Sequence, residues 1–333
     1  MTGNVNLVLQ SFGSESEYRR AIFSLWSFYA HISSEYAGTR ALLFTDNPEF
    51  FYPYMEGLPV QYILLSAEKI RHMRGEINFL HRIKIGVIDE ALLMYGGSIL
   101  YVDADTCFIK DPAPLFQNIS EKISFMHVNE YSFLHLQEIP LPSGAPFHAV
   151  LKVLVEEEFI LADGSHRKFL PSLFSWNAGV IMLHRNHHPL LADVYAITDR
   201  LFPETGNHAA EQYAFSLVLQ TNAELHPCNE FIYHYWYRTK KQVADKFLAK
   251  RLDHSWSQRS TGQNKGRVKR WTQALPGNIE QHPWTLRDNA IQAFNNNQFR
   301  LAYRWAAMAF IKNPFNIPFI KNCFYHTRRL LME

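Results

Sequence analysis

Two aspartates one residue apart, Asp103 and Asp105, close an apolar run in "YGGSILYVDADTCFIKDP", residues 95–112. A buried carboxylate is costly without a partner, so a hydrophobic segment ending in Asp103-Ala104-Asp105 needs a reason. Side chains two apart in an extended chain point the same way. Carboxylates so placed could hold Mg2+ or Mn2+, hard cations that take one or two carboxylates and complete their shell with phosphate oxygens and water. The competing reading is the polar start of a loop with an Asx-type turn.

The elements around the pair are readable. Leu80, Ile83, Val87, Ala91 and Met94 form one stripe over residues 78–95, and Ile88, Leu92 and Tyr95 a second, which predicts a deeply packed helix. Gly96-Gly97 ends it, and "SILYVD" follows as a buried strand. Asp103 then sits at the carboxyl end of a strand, the edge where open α/β sheets bind ligands. "NVNLVLQ", "RALLFTD" and "PVQYILL" read as earlier strands. Between the first two, Ser14 and Glu17 have the spacing of a helix capping box. "KISFMHV" and "FSWNAGVIMLHR" read as later strands, residues 189–202 and 207–220 as helices, and "FIYHYWYRTK" as an aromatic strand or strand-loop.

The chain has 333 residues, 47% of them hydrophobic, enough for one large domain with an appendage. Residues 1–239 are expected to be the main α/β domain, with 129–170, aperiodic and containing Pro140, Pro142 and Pro146, as an insertion. Residues 240–277 read as a basic, mobile lid or linker. Residues 278–333 resemble a tetratricopeptide-type helix pair, too short to stand alone and so docked on the main domain. Charge is uneven: residues 240–270 carry 10 basic and 2 acidic side chains, against 16 and 26 in residues 1–239. A basic carboxyl-terminal third suits an anionic partner, and equally a solvated loop. Cys107, Cys228 and Cys323 have no metal or disulfide spacing, which fits a reducing compartment. The first residues lack the pattern of a secretory leader, and no apolar run approaches the ~18 residues that span a bilayer. The expected location is cytoplasmic, with membrane contact, if any, peripheral at the inner face through the basic third.

"HRIKIGVIDEALLMYGGSILYVDADTCF" resembles the DXD region of nucleotide-sugar glycosyltransferases of the GT-A fold. It is most similar to the retaining group that includes bacterial lipopolysaccharide galactosyl- and glucosyltransferases and glycogenin. "SWNAGVIML", "AAEQYAFSLVL" and "FIYHYWYRTK" are similar to three further motifs of that group, in the same order, so the resemblance covers about residues 4–240. It implies a Rossmann-like α/β fold whose mixed, mainly parallel sheet is flanked by helices. It also implies a nucleotide-sugar donor, probed best as a UDP-hexose or UDP-N-acetylhexosamine, and a glycan or lipid-linked glycan acceptor. Mn2+ or Mg2+ would be held by Asp103, Asp105 and His234, although His234 among Tyr233, Tyr235 and Trp236 also reads as one member of an aromatic cluster. Asn177, Ala178 and Gly179 would form a turn at the donor sugar, and Glu211 and Gln212 would lie beside the anomeric carbon.

The group has a basic residue near Lys84 that touches the diphosphate; Arg82, two positions away, cannot share its helical face. Ser11, Phe12 and Gly13 would receive the base and ribose. Asp46 is a further contact there, or a strand-terminal turn residue. Two departures stand out. Glu211 replaces the group's usual aspartate, and the Gly-x-x-Lys-Pro-Trp pattern after the late histidine is missing, leaving Arg238, Lys240, Lys241 or a later cation to reach the diphosphate. An inverting GT-A enzyme, a mannosyl-type DXD transferase and an inactive scaffold used for binding are the alternatives. No nucleic-acid module accompanies the basic segment, so no nucleic-acid partner is expected.

Overall fold

The computed structural model describes residues 4–139, 144–253 and 255–332. Pro140, Pro142 and the first three residues of the segment read for a leader lie outside the described residues.

The amino-terminal half alternates strand and helix. β1 (Val5–Ser11) leads into α1 (Glu15–His31), where Ser14 accepts from the Glu17 backbone N–H. There follow β2 (Ala41–Thr45), α2 (Tyr52–Met55), β3 (Val60–Leu64), α3 (Ala67–Arg74), α4 (Arg82–Tyr95) and β4 (Ser98–Val102). The helix expected from residue 78 starts at Arg82, because Asn78 occupies the left-handed region at φ 52°. α4 buries Ile83, Val87, Ile88, Ala91 and Leu92 and leaves Met94 exposed, as is Leu80 before it. Gly97 has φ 80°, and a Cβ there would lie 2.3 Å from the Asn4 carbonyl oxygen, so only glycine makes this entry into β4.

The second half comprises β5 (Thr106–Phe108), α5 (Ala113–Asn118), β6 (Ile123–Met126), β7 (Asn129–Ser132), α6 (Ala145–Glu156), β8 (Phe159–Ile160), β9 (His166–Arg167), β10 (Phe174–Trp176), β11 (Val180–Leu183), α7 (Leu190–Thr205), α8 (Ala210–Asn222), β12 (Glu224–Pro227) and β13 (Ile232–His234). The central sheet has the order β12-β6-β11-β4-β1-β2-β3. Only β11 runs antiparallel to its neighbours β4 and β6, so the sheet is mixed and mainly parallel. Every residue of β2, β4 and β11 is buried, as strands covered on both faces require. One apolar core packs α1 against one face, and a second packs α4, α7 and α8 against the other.

Two local expectations are corrected. "FSWNAGVIMLHR" is two strands in different sheets, because the Asn177-Ala178-Gly179 turn separates β10, paired with β7, from β11. The segment read as an aperiodic insertion contains α6, which buries Val150, Val153 and Leu154.

After β13 the chain is helical: α9 (Arg238–Ala249), α10 (Thr261–Glu280), α11 (Pro283–Asn295), α12 (Phe299–Lys312) and α13 (Ile317–Met332). The polar stretch read as a mobile lid or linker is therefore largely two helices, α9 and α10. Ser260 and Gln263 cap α10 reciprocally, and Val268, Thr272, Leu275 and Ile279 are buried along it. Val268, Leu275 and Ile279 join the core that surrounds α1. α11, α12 and α13 enclose small apolar clusters of their own around Leu286, Phe294 and Phe319. Among the described residues no helix is long and apolar enough to cross a membrane.

Candidate functional site

The carboxyl ends of β1 and β4, the 177–179 turn, the first turn of α8 and the end of β13 converge on a cavity of about 750 Å3. Ser11, Phe12, Lys84, Asp103, Ala104, Asp105, Asn177, Gly179, Glu211, Gln212 and His234 all line it. Gly13, Asp46 and Ala178 do not. Asp46 instead accepts from the Gly13 N–H at 3.0 Å and the Tyr18 hydroxyl at 2.8 Å, holding the loop that follows β1.

Asp103 is fixed from two sides. The Tyr101 hydroxyl donates to its Oδ1 at 2.8 Å, and the Lys84 ammonium to its Oδ2 at 3.2 Å. Lys84 is buried and also meets the Ala178 carbonyl at 3.0 Å and Glu211 Oε1 at 3.3 Å. Burial alone would favour the neutral amine, but the Asp103 and Glu211 carboxylates outweigh it and raise the Lys84 pKa. Arg82 turns away to a bidentate pair with Asp199 at 2.6 and 2.9 Å. Glu211 Oε2 is buried with no hydrogen-bond partner, and Glu211 lines the cavity.

Asp105 is buried, with its Oδ1 3.3 Å from His234 Nε2 and its Oδ2 2.6 Å from Lys241 Nζ. Burial opposes its ionisation, yet the His234 ring and the Lys241 ammonium hold its carboxyl well below the usual range. Lys241 is thus the cation that follows the late histidine into the cavity. Lys240 pairs with Glu280 at 2.6 Å, and Arg238 is exposed.

The orientation of His234 is set by a chain of amides. The Glu130 carboxylate accepts from Asn177 Nδ2 at 3.1 Å, which turns Asn177 Oδ1 toward the Gly179 N–H at 3.0 Å and His234 Nδ1 at 2.9 Å. That oxygen can only accept, so Nδ1 carries a proton, and the ring's other nitrogen, Nε2, is the one that faces Asp105, 3.3 Å from its Oδ1. Gly179 was expected in a turn at the donor sugar. The close approach it permits is to His234, since a Cβ there would lie 2.0 Å from the ring. Gln212 spends its amide on position: Nε2 donates to Glu130 at 2.9 Å and Ser175 at 3.0 Å, and Oε1 accepts from the Ala178 N–H at 3.2 Å.

Asp103, Asp105 and His234 can each offer one ligand atom with all three atoms within 4.8 Å of one another. Two carboxylate oxygens and an imidazole nitrogen are donors that can hold a divalent cation. His234 Nε2 and Asp105 Oδ1 meet at 3.3 Å as an ion pair without a well-formed hydrogen bond, and an intervening cation would replace that contact with two ligand bonds, so these residues fit a divalent metal.

No protein-family model matches this chain, and no curated protein does. Among solved structures it is similar to the glycosyltransferase GlyE of Streptococcus pneumoniae, at 11% identity and TM-score 0.46 over 79% of this chain and 63% of that one. The apo form of GlyE gives 10% identity and TM-score 0.46 over 82% and 64%. Mouse xyloside xylosyltransferase 1, also an apo form, gives 12% identity and TM-score 0.43 over 67% and 84%. The chain spans just under two thirds of the length of GlyE.

Several residues in or behind the cavity wall had escaped the sequence reading. Glu130 lies in the segment taken for an insertion, and nothing local marks it. Pro146 and Phe147, at the start of α6, line the cavity too, as do Asn207 and His208 before α8. Trp236 packs 5.0 Å from the His234 ring and was visible only as one of several aromatics.

Proposed function

We propose that this chain is a metal-dependent glycosyltransferase of GT-A type that moves a sugar from a nucleotide diphosphate sugar, UDP-linked in the first instance, to a glycan acceptor. The observation that carries the reading is one cavity in which an Asp-Asp-His set stands between two lysine ammoniums, Lys84 and Lys241. Breaking an anomeric C–O bond puts negative charge on the departing diphosphate, and fixed cations in a partly dry cleft stabilise that charge.

A divalent cation held by Asp103, Asp105 and His234 would supply Lewis-acid stabilisation of the diphosphate. The remaining roles belong to the chain itself. Lys241, ion-paired with Asp105 in the resting arrangement, is the cation free to swing onto donor phosphate. Lys84 has three acceptors already and positions Asp103 and Glu211. Gln212 and Asn177 position the 177–179 turn and His234. Glu211, which lines the cavity and whose Oε2 has no hydrogen-bond partner, would lie beside the anomeric centre. Ser11 and Phe12 receive the nucleoside.

The resemblance in sequence motifs favours retention of anomeric configuration. The free oxygen of Glu211 favours a second reading, an inverting enzyme with Glu211 as general base. Turnover of a panel of UDP-sugars with Mn2+, followed by NMR of the product anomer, tests both. Sugar transfer that is lost on chelation is the expected result; transfer undiminished by chelation, or full activity in Asp105→Ala, would overturn the proposal.

A further inference from the structure

The cation-rich carboxyl-terminal third contains a second cavity, of about 280 Å3, between α9, α11 and the amino end of α13. Arg287 of α11 lines it and is 9% exposed. Its Nε and Nη2 are buried without a hydrogen-bond partner, and among the described residues it has no ion pair. Its guanidinium carbon lies 5.8 Å from the Phe319 ring centroid. A sequestered guanidinium with no anion is an unfavourable arrangement that a bound carboxylate or phosphate would relieve.

The surroundings point to the same ligand. The amino end of α13 reaches the cavity wall, where the Asn316 side chain caps it by accepting from the Phe319 N–H at 2.9 Å. The positive end of a helix favours an anion. Gln242 and Asn322 add neutral amides to the wall. The Lys246 ammonium sits 3.9 Å over the ring of Trp284, which lines the cavity. Burial first, and then the Lys246, Arg287 and Lys312 cations, lower the pKa of the neighbouring His282. Against these stands one acid, Asp288, whose carboxylate accepts from the Thr239 hydroxyl. Trp284 and Phe319 give the cavity apolar walls beside the cation.

We propose that this cavity binds the phosphate group of a small organic ligand, with Arg287 as the cation and Trp284 and Phe319 against the ligand's apolar part. The site is separate from the Asp103–Asp105 cavity and does not depend on the function assigned there.

Calorimetric titration of the full chain with inorganic phosphate and with phenyl phosphate tests it, in the wild type and in Arg287→Gln and Asn322→Asp. Loss of the guanidinium is expected to weaken phenyl phosphate binding by roughly tenfold or more, as removal of charge-assisted hydrogen bonds entails. Asn322 is exposed, so Asn322→Asp keeps the fold and sets a negative charge at the rim; it is expected to weaken binding in the same direction. If Arg287→Gln fails to fold, Asn322→Asp decides. Binding indistinguishable between wild type and variants, or no binding in the wild type, would overturn the site. Equal affinities for the two phosphates in the wild type would overturn the organic ligand.

Discussion

Asn177 Oδ1 and His234 Nδ1 lie 2.9 Å apart, and the Glu130 carboxylate leaves the amide only one orientation in which that contact is made. The only nitrogen His234 can offer a metal is therefore Nε2. Asn177→Ala frees the ring and its tautomer, and is expected to weaken Mn2+ binding by about 10–100-fold, the usual effect of removing a partner behind a metal ligand. Titration of the Mn2+ paramagnetic signal measures it, and unchanged affinity would show that Asn177 does not orient the histidine.

Gly179→Ala places a Cβ 2.0 Å from the same ring, so His234 must leave its place. The expected stability loss is about 1–3 kcal/mol, typical of overpacking a filled interior. Urea unfolding reads that loss, and Mn2+ affinity should fall with it. A variant that binds Mn2+ like the wild type would mean that His234 is dispensable.

Lys84→Met leaves the Asp103 and Glu211 carboxylates facing each other without their shared cation. Removing one partner of a buried ion pair costs about 3–5 kcal/mol, and Glu211→Gln in the same chain should recover part of it. Urea midpoints of the single and double variants test the coupling; equal destabilisation in both would place Glu211 outside the network.

The motif-bearing residues were legible because each sits where a short sequence pattern dictates its place. A buried strand must expose its carboxyl end at the sheet edge, which put Asp103 and Asp105 in the cavity, and helical spacing separated Lys84 from Arg82. What failed was whatever depends on distant chain segments. Glu130 follows no local pattern; it acts only because β7 pairs with β10 and brings it to Asn177 and Gln212. Helix α10 was masked by Gly262, Gly266, Pro276 and Gly277, which lower helix propensity. Its register of Val268, Thr272, Leu275 and Ile279 and its Ser260–Gln263 capping box were present to be read, and packing around α1 outweighs the propensity.

His127 is buried 5.3 Å from the His234 ring, with its Nε2 3.1 Å from the Ile232 carbonyl. Burial, and then the charge of His234, lower its pKa from 6.5 to about 4. Between those values the unfolded chain binds more protons than the folded one, so stability rises with pH over that window and falls on acidification. The full change is about 3 kcal/mol. His127→Gln should flatten the slope between pH 4 and 6.5; urea midpoints across that range give the comparison, and an unaltered slope would assign the acid sensitivity to other groups.

The central claim is that Asp103, Asp105 and His234 hold a divalent cation that receives a nucleotide diphosphate. Calorimetry of UDP binding with Mn2+ and with chelator tests it most directly. The account predicts UDP binding at least about tenfold tighter with Mn2+, the scale of one charge-assisted contact, and loss of that gain in Asp105→Ala. UDP binding of the same strength with and without Mn2+, or none in either, would contradict it.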